Sequence, residues 1–162
     1  MAEVYVSVGS NIDPADNVRS GVESLRQQFE QLELSRVFES RAVGFDGENF
    51  YNLVVRFQTD RAVLEVVDLL QQMELRHGRS RASEKFSART LDLDLLLYDD
   101  LVYNHHGVRL PRPEIEVYAF VLKPLSELAG SWIHPLTHKS LEQMWQESDM
   151  GDQELWPLDL SC

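Results

Sequence analysis

Residues 91–97, Leu91-Asp92-Leu93-Asp94-Leu95-Leu96-Leu97, constrain the fold more than any other stretch of the chain. Side chains two apart on a strand share a face, so Leu91, Leu93, Leu95 and Leu97 are predicted to enter a core while Asp92 and Asp94 project together from the opposite side. Two like charges side by side on a strand repel unless something neutralises them. Magnesium held by one or two carboxylates and by substrate phosphates does so. An acidic strand face left in water carries the same pattern, so the pair alone leaves both readings open.

The rest of the chain supplies partners for that strand. Residues 3–8 alternate as a strand and break at Gly9-Ser10-Asn11. Asp13-Pro14 predicts a helix start, and Val18, Val22, Leu25 and Phe29 give residues 15–30 a helical spacing. Alternation returns over Leu32–Ser40, and Phe50–Gln58 is rich in strand formers. A helix is predicted over 61–77, with Gly78 as its stop. Residues 79–89 lack periodicity and read as a long loop. After the strand at 91–98, a turn at Asp99-Asp100 and an extended piece at 101–103 predict a hairpin. Prolines at 111, 113 and 124 bracket a segment in which 118–128 reads as helix, and a last helix is predicted near 139–147.

The order strand, helix, strand, strand, helix, strand is that of an α+β, ferredoxin-like βαββαβ core, an antiparallel sheet with packed helices and a C-terminal mixed extension. One domain is expected over 1–162, with its core at about 3–98, an extension at 99–135 and a tail at 136–162. Such sheets also serve as metal carriers and RNA binders, so the fold does not decide function.

Charge narrows the choice. The chain carries 15 Lys and Arg against 27 Asp and Glu, a net charge of -12. That balance repels nucleic acid and anionic membranes, and no aromatic-rich RNP-like strand is present, so an RNA-binding module is not expected. Yet Arg76, Arg79, Arg81, Lys85 and Arg89 crowd into residues 76–89. A cationic block beside paired carboxylates suits a small polyphosphate with its metal; a solvated basic loop is the plainer reading. Neither G-x-x-x-x-G-K-[ST] nor G-x-G-x-x-G occurs, so the two commonest glycine loops for phosphate are excluded. The N-terminus has no basic and apolar leader, no run of 18 apolar residues occurs, and the single cysteine is Cys162. A cytoplasmic monomer without a membrane segment is expected. The spacing of His134 and His138, interrupted by Pro135, predicts surface histidines rather than a metal site.

The run Glu74-Leu75-x-x-Gly78-Arg79-x-Arg81, followed by Arg89-Thr90-Leu91-Asp92-Leu93-Asp94, resembles the 6-hydroxymethyl-7,8-dihydropterin pyrophosphokinase family of folate biosynthesis. The opening Val8-Gly9-Ser10-Asn11 is similar as well, and the agreement in spacing runs from residue 4 to about 135. The resemblance implies an ATP-dependent pyrophosphokinase that acts on a dihydropterin alcohol and releases AMP. It also implies two magnesium ions bound with ATP and held by Asp92 and Asp94, with Arg79 and Arg89 as catalytic cations.

On the nucleotide side, the resemblance implies contacts from Gln71, Glu74, Arg81, Lys85, Leu95, Arg112 and Tyr118. On the pterin side it implies Ser40, Arg41, Val43, Gly44, Phe50, Asn52, Phe86 and Phe120, with Asn52 meeting the ring edge and Phe50 and Phe120 stacking on its two faces. Without the resemblance, Phe50 and Phe120 are simply core residues, and Gln71 and Glu74 a polar pair facing water.

The chain departs from the family pattern at four places. Arg112 stands where a histidine is common and Tyr118 where an arginine is usual; Phe86 replaces a frequent tryptophan and Lys85 a frequent arginine. These changes leave open a divergent member with weak or no turnover, or one acting on another pterin alcohol.

Overall fold

The computed structural model describes residues 1–42, 47–78 and 90–162. Its centre is a six-stranded antiparallel sheet. Strand β1 (Ala2–Ser10) leads into helix α1 (Pro14–Gln28), which begins at Pro14 as its sequence predicts. Strands β2 (Glu33–Leu34), β3 (Val37–Ser40) and β4 (Phe50–Thr59) follow, then helix α2 (Val63–Arg76) and strand β5 (Asp92–Tyr98). Beyond the core lie strands β6 (Tyr103–His105) and β7 (Val108–Leu110), helices α3 (Ala119–Ala129) and α4 (Leu141–Glu147), and strand β8 (Leu155–Leu158).

The sheet order β5-β1-β4-β3, with the helix crossings between them, is the ferredoxin-like arrangement expected from the element order. Two departures mark its edge. The alternating run at 32–40 is split into β2 and β3 because Ser35 interrupts the ladder: its hydroxyl accepts a bond from Val54 N at 2.9 Å. And β8 joins the sheet beside β3, so the segment expected to be a tail extends the core.

Period-2 alternation puts different residues on the two sheet faces. On one face, Val4, Val6 and Val8 of β1, Leu53, Val55 and Phe57 of β4, and Leu93 and Leu95 of β5 pack with Leu91 against α1 and α2. Helix α1 contributes Val18, Val22 and Leu25, all fully buried, and burial of each such side chain stabilises the fold by about 1.5–3 kcal/mol. The other face packs Tyr5, Val54, Leu96 and Leu97 against α3 and α4. Leu97 was expected on the same face as Leu91, but a register shift between Tyr5 and Val6 reverses the alternation at Leu96.

One further expectation is corrected. The hairpin does not form around Asp99-Asp100; it is β6–β7, with His105 opposite Val108. Its two turn residues, His106 and Gly107, have φ of 55° and 74°, the left-handed pair of a type I′ turn that matches strand twist. Pro124 lies inside α3, within the helix expected over 118–128.

Candidate active site

Strand register assembles the site. Across the sheet, Phe38 pairs with Asn52, Asn52 with Gly9, and Gly9 with Asp92. Paired residues point to the same face, so this row carries Asn52 and Asp92 onto the sheet face that packs against α3. Ser40 and Phe50 are paired one step along on the same face, and Asp94 pairs with Ser7. Ser40, Phe50 and Asn52, three of the residues expected to meet a pterin, thus share one end of one surface with Asp92 and Asp94, expected to meet a metal.

Gly9 is what lets the row close. A Cβ at Gly9 would lie 2.4 Å from Asn52 Oδ1, so only glycine admits the amide at that place. Asn52 is buried, and its Nδ2 has no hydrogen-bond partner among the described residues. The same holds for Ser40 Oγ. Orphaned polar atoms in a buried position are costly, and a heterocycle edge offering donors and acceptors would satisfy them.

At the other end of the row, Glu74, Asp92 and Asp94 bring carboxylate oxygens to within 4.8 Å of one another. Strand β5 is the sheet edge, so its outward N–H groups lack a neighbouring strand. Glu74, near the end of α2, fills that gap: its Oε2 accepts a bond from Leu93 N at 2.9 Å, between the two aspartates. Three hard oxygen donors at this separation fit magnesium. The sequence pointed to two of the three. Glu74 was expected near the nucleotide, and long-range packing of α2 against β5 sets it beside the aspartates.

Arg112 also reaches this cluster. Its guanidinium lies 3.4 Å from Asp94 Oδ1 and pairs closely with Glu114, while its N–H donates to Leu96 O at 3.0 Å. Leu95 is buried in the core, which leaves only its main chain for a nucleotide. Gln71 is exposed one turn before Glu74.

Tyr118 precedes the first residue of α3, and its ring stacks on Phe120 with centroids 5.0 Å apart and planes 18° apart. Phe120 borders a cleft of about 380 Å³ with Ser40 and Arg41 on another wall. Gln153 and Glu154 line the same cleft, which the sequence did not indicate. Val43 and Gly44, and Arg79, Arg81, Lys85, Phe86 and Arg89, lie outside the described residues.

A family model for 7,8-dihydro-6-hydroxymethylpterin-pyrophosphokinase matches residues 5–130. The chain belongs to this family. It is therefore a pyrophosphokinase by family, an enzyme of the diphosphotransferase class. The 2-amino-4-hydroxy-6-hydroxymethyldihydropteridine pyrophosphokinase of Aquifex aeolicus is 32% identical over 152 residues, covering 93% of this chain and 94% of that protein. The enzyme of the same name from Synechocystis is 31% identical, covering 94% and 78%.

Among solved structures, a wild-type Plasmodium falciparum HPPK-DHPS chain aligns with a TM-score of 0.71 at 9% identity, over 91% of this chain. That likeness speaks for the fold alone. This chain spans 43% of the length of the Plasmodium protein.

One expectation about histidines fails. His134 is fully buried rather than on the surface, although His138 is exposed. His134 Nδ1 accepts bonds from Leu136 N at 3.2 Å and Thr137 N at 3.1 Å, so the ring organises a turn. Burial, set against the nearby Glu116 carboxylate, holds its pKa below the usual histidine value. Among the described residues no helix is long and apolar enough to cross a membrane.

Proposed function

We propose that this chain transfers the pyrophosphoryl group of Mg-ATP to the hydroxymethyl oxygen of 7,8-dihydro-6-hydroxymethylpterin, in folate biosynthesis, as a cytoplasmic monomer. The observation that carries this reading is the row Asn52–Gly9–Asp92, which sets a buried amide and a carboxylate cluster side by side on one sheet face.

Asn52 and Ser40 bind the heterocycle edge, and Phe50 and Phe120 hold its faces. Glu74, Asp92 and Asp94 would hold two magnesium ions, which supply charge neutralisation of the phosphates and make the pterin hydroxyl easier to ionise. Arg112 orients the triphosphate from the same side, and Arg79 and Arg89 add cations as charge develops on the leaving group. Gln71, Arg81, Lys85, Tyr118 and the main chain of Leu95 border the nucleotide. Arg41, Val43, Gly44 and Phe86 border the pterin. The pterin oxygen attacks the β-phosphorus, the bond from that phosphorus to the α–β bridging oxygen breaks, and AMP leaves. The hydroxyl proton passes to solvent.

Holding both reactants in line accounts for much of the rate enhancement in such transfers. Chromatography of the nucleotides after incubation with Mg-ATP and the pterin tests the reading. AMP formed only when the pterin is present supports it; ADP, or no change in ATP, contradicts it.

A further inference from the structure

The cleft beside Phe120 has a wall that lies beyond residues 5–130, the span matched by the family model. It is made by the segment 152–155, which is fixed firmly against the sheet. Ser40 pairs with Leu155 and Glu39 with Trp156 across β3–β8. Trp156 Nε1 donates to Glu39 Oε1 at 2.8 Å. Farther on, Arg19 and Arg26 of α1 donate to the carbonyls of Ser161 and Cys162 at 2.9 and 2.7 Å.

Gln153 uses this anchored position to grip the start of α3. Its Oε1 accepts from Ala119 N at 2.8 Å and its Nε2 donates to Val117 O at 2.9 Å. The first N–H groups of a helix have no partner within it, and the Tyr118 side chain at the cap position does not cap them. Gln153 supplies the missing acceptor from 34 residues away. It thereby fixes the peptides on both sides of Tyr118, from which the Phe120 ring extends into the cleft. On the facing wall, the buried Ser40 hydroxyl has no partner among the described residues. The Arg41–Glu154 pair across the mouth, 3.1 Å long, is well exposed and contributes little by comparison.

We propose that residues 152–155 are the third wall of the pterin cleft and that Gln153 is a positioning residue that holds Phe120 against the bound ring. This inference rests on the function proposed above.

Equilibrium titration tests it: the wild-type chain, Gln153→Met and Gln153→Glu are each titrated with the dihydropterin in the presence of magnesium and α,β-methylene-ATP. Methionine keeps the length and loses both bonds; glutamate keeps the acceptor for Ala119 N. The pterin Kd is expected to rise about tenfold in Gln153→Met, with the nucleotide Kd unchanged, and to rise also in Gln153→Glu, which keeps the bond from Ala119 N and loses the donor to Val117 O. An unchanged pterin Kd in Gln153→Met, or pterin and nucleotide Kd rising together, overturns the proposal.

Hydrogen exchange on the wild-type chain needs no substitution. Pterin is expected to slow exchange at 150–156 as well as at 119–121, and protection absent from 150–156 overturns the proposal. AMP formation by the wild-type chain is scored separately, so either contrary result in an active enzyme removes the role of Gln153 and leaves the activity standing. A wild-type chain that binds no pterin overturns both.

Discussion

Asn52 Oδ1 sits 2.4 Å from where a Cβ on Gly9 would be, so the central strand β1 must be bare at Gly9 for the amide to lie over it. The neighbouring Asp92 pairs with the same glycine from the other side. Gly9→Ala therefore strikes the junction between the two half-sites. It is expected to destabilise the fold by about 1–3 kcal/mol, as overpacking does, and to weaken pterin binding more than ATP binding. Chemical denaturation and separate titrations of the two substrates measure these effects. Gly151→Ala, where a Cβ would meet nothing within 4 Å, is the control.

Asp92→Asn and Asp94→Asn keep the size of the side chains and remove charge from the metal cluster. AMP formation is expected to fall by roughly two to three orders of magnitude, the scale seen when transition-state charge stabilisation is lost. Thermal stability is expected to hold or rise, since like charges on adjacent positions of β5 repel. A large loss of stability with activity retained per folded molecule contradicts the assignment.

Glu74→Gln separates metal binding from structure. A glutamine oxygen can still accept from Leu93 N, so the edge of β5 stays satisfied. Magnesium affinity, measured calorimetrically in the presence of the non-reactive ATP analogue, is expected to weaken by about tenfold or more. Unchanged affinity removes Glu74 from the ligand set.

The aspartates were legible because a strand's period of two is local: Leu91 to Leu95 state their own geometry. The helices over Pro14–Gln28 and Val63–Arg76 were legible for the same reason. What escaped the sequence is what depends on distant partners. Glu74 meets Leu93 only because α2 packs on β5, and Gly9 matters only because β4 brings Asn52 beside it. Strand β8 carries Pro157 in four residues, a pattern that says little until β3 offers an edge on which proline is tolerated. His134 has the sequence context of a surface loop and is buried because its ring nitrogen caps the turn at Leu136 and Thr137.

Arg112, one of the four departures that the resemblance implies, pairs with Asp94 at 3.4 Å. Arg112→Ala is expected to raise the KM for ATP by about tenfold, the low end for a charge-assisted bond because the side chain is partly exposed. The pterin KM is expected to change little. Equal changes in both constants, read by steady-state kinetics, contradict a nucleotide-side role.

His134 ties stability to pH. Burial lowers its folded pKa below the ordinary 6.5, so the unfolded chain binds the proton more readily. Its contribution is complete above about pH 6.5 and is lost as pH falls through the folded value. Glu116 opposes the shift and His138 adds to it. The unfolding midpoint in urea is expected to drop between pH 7 and pH 5 in the wild-type chain and to drop less in His134→Gln. Equal slopes in the two proteins contradict this account.

Pyrophosphoryl transfer moves the β-phosphorus of ATP. With ATP labelled at the β-phosphorus, magnesium and 7,8-dihydro-6-hydroxymethylpterin, the label is expected in the pterin product, with one AMP released for each pterin diphosphate formed. Label retained in ADP contradicts pyrophosphoryl transfer.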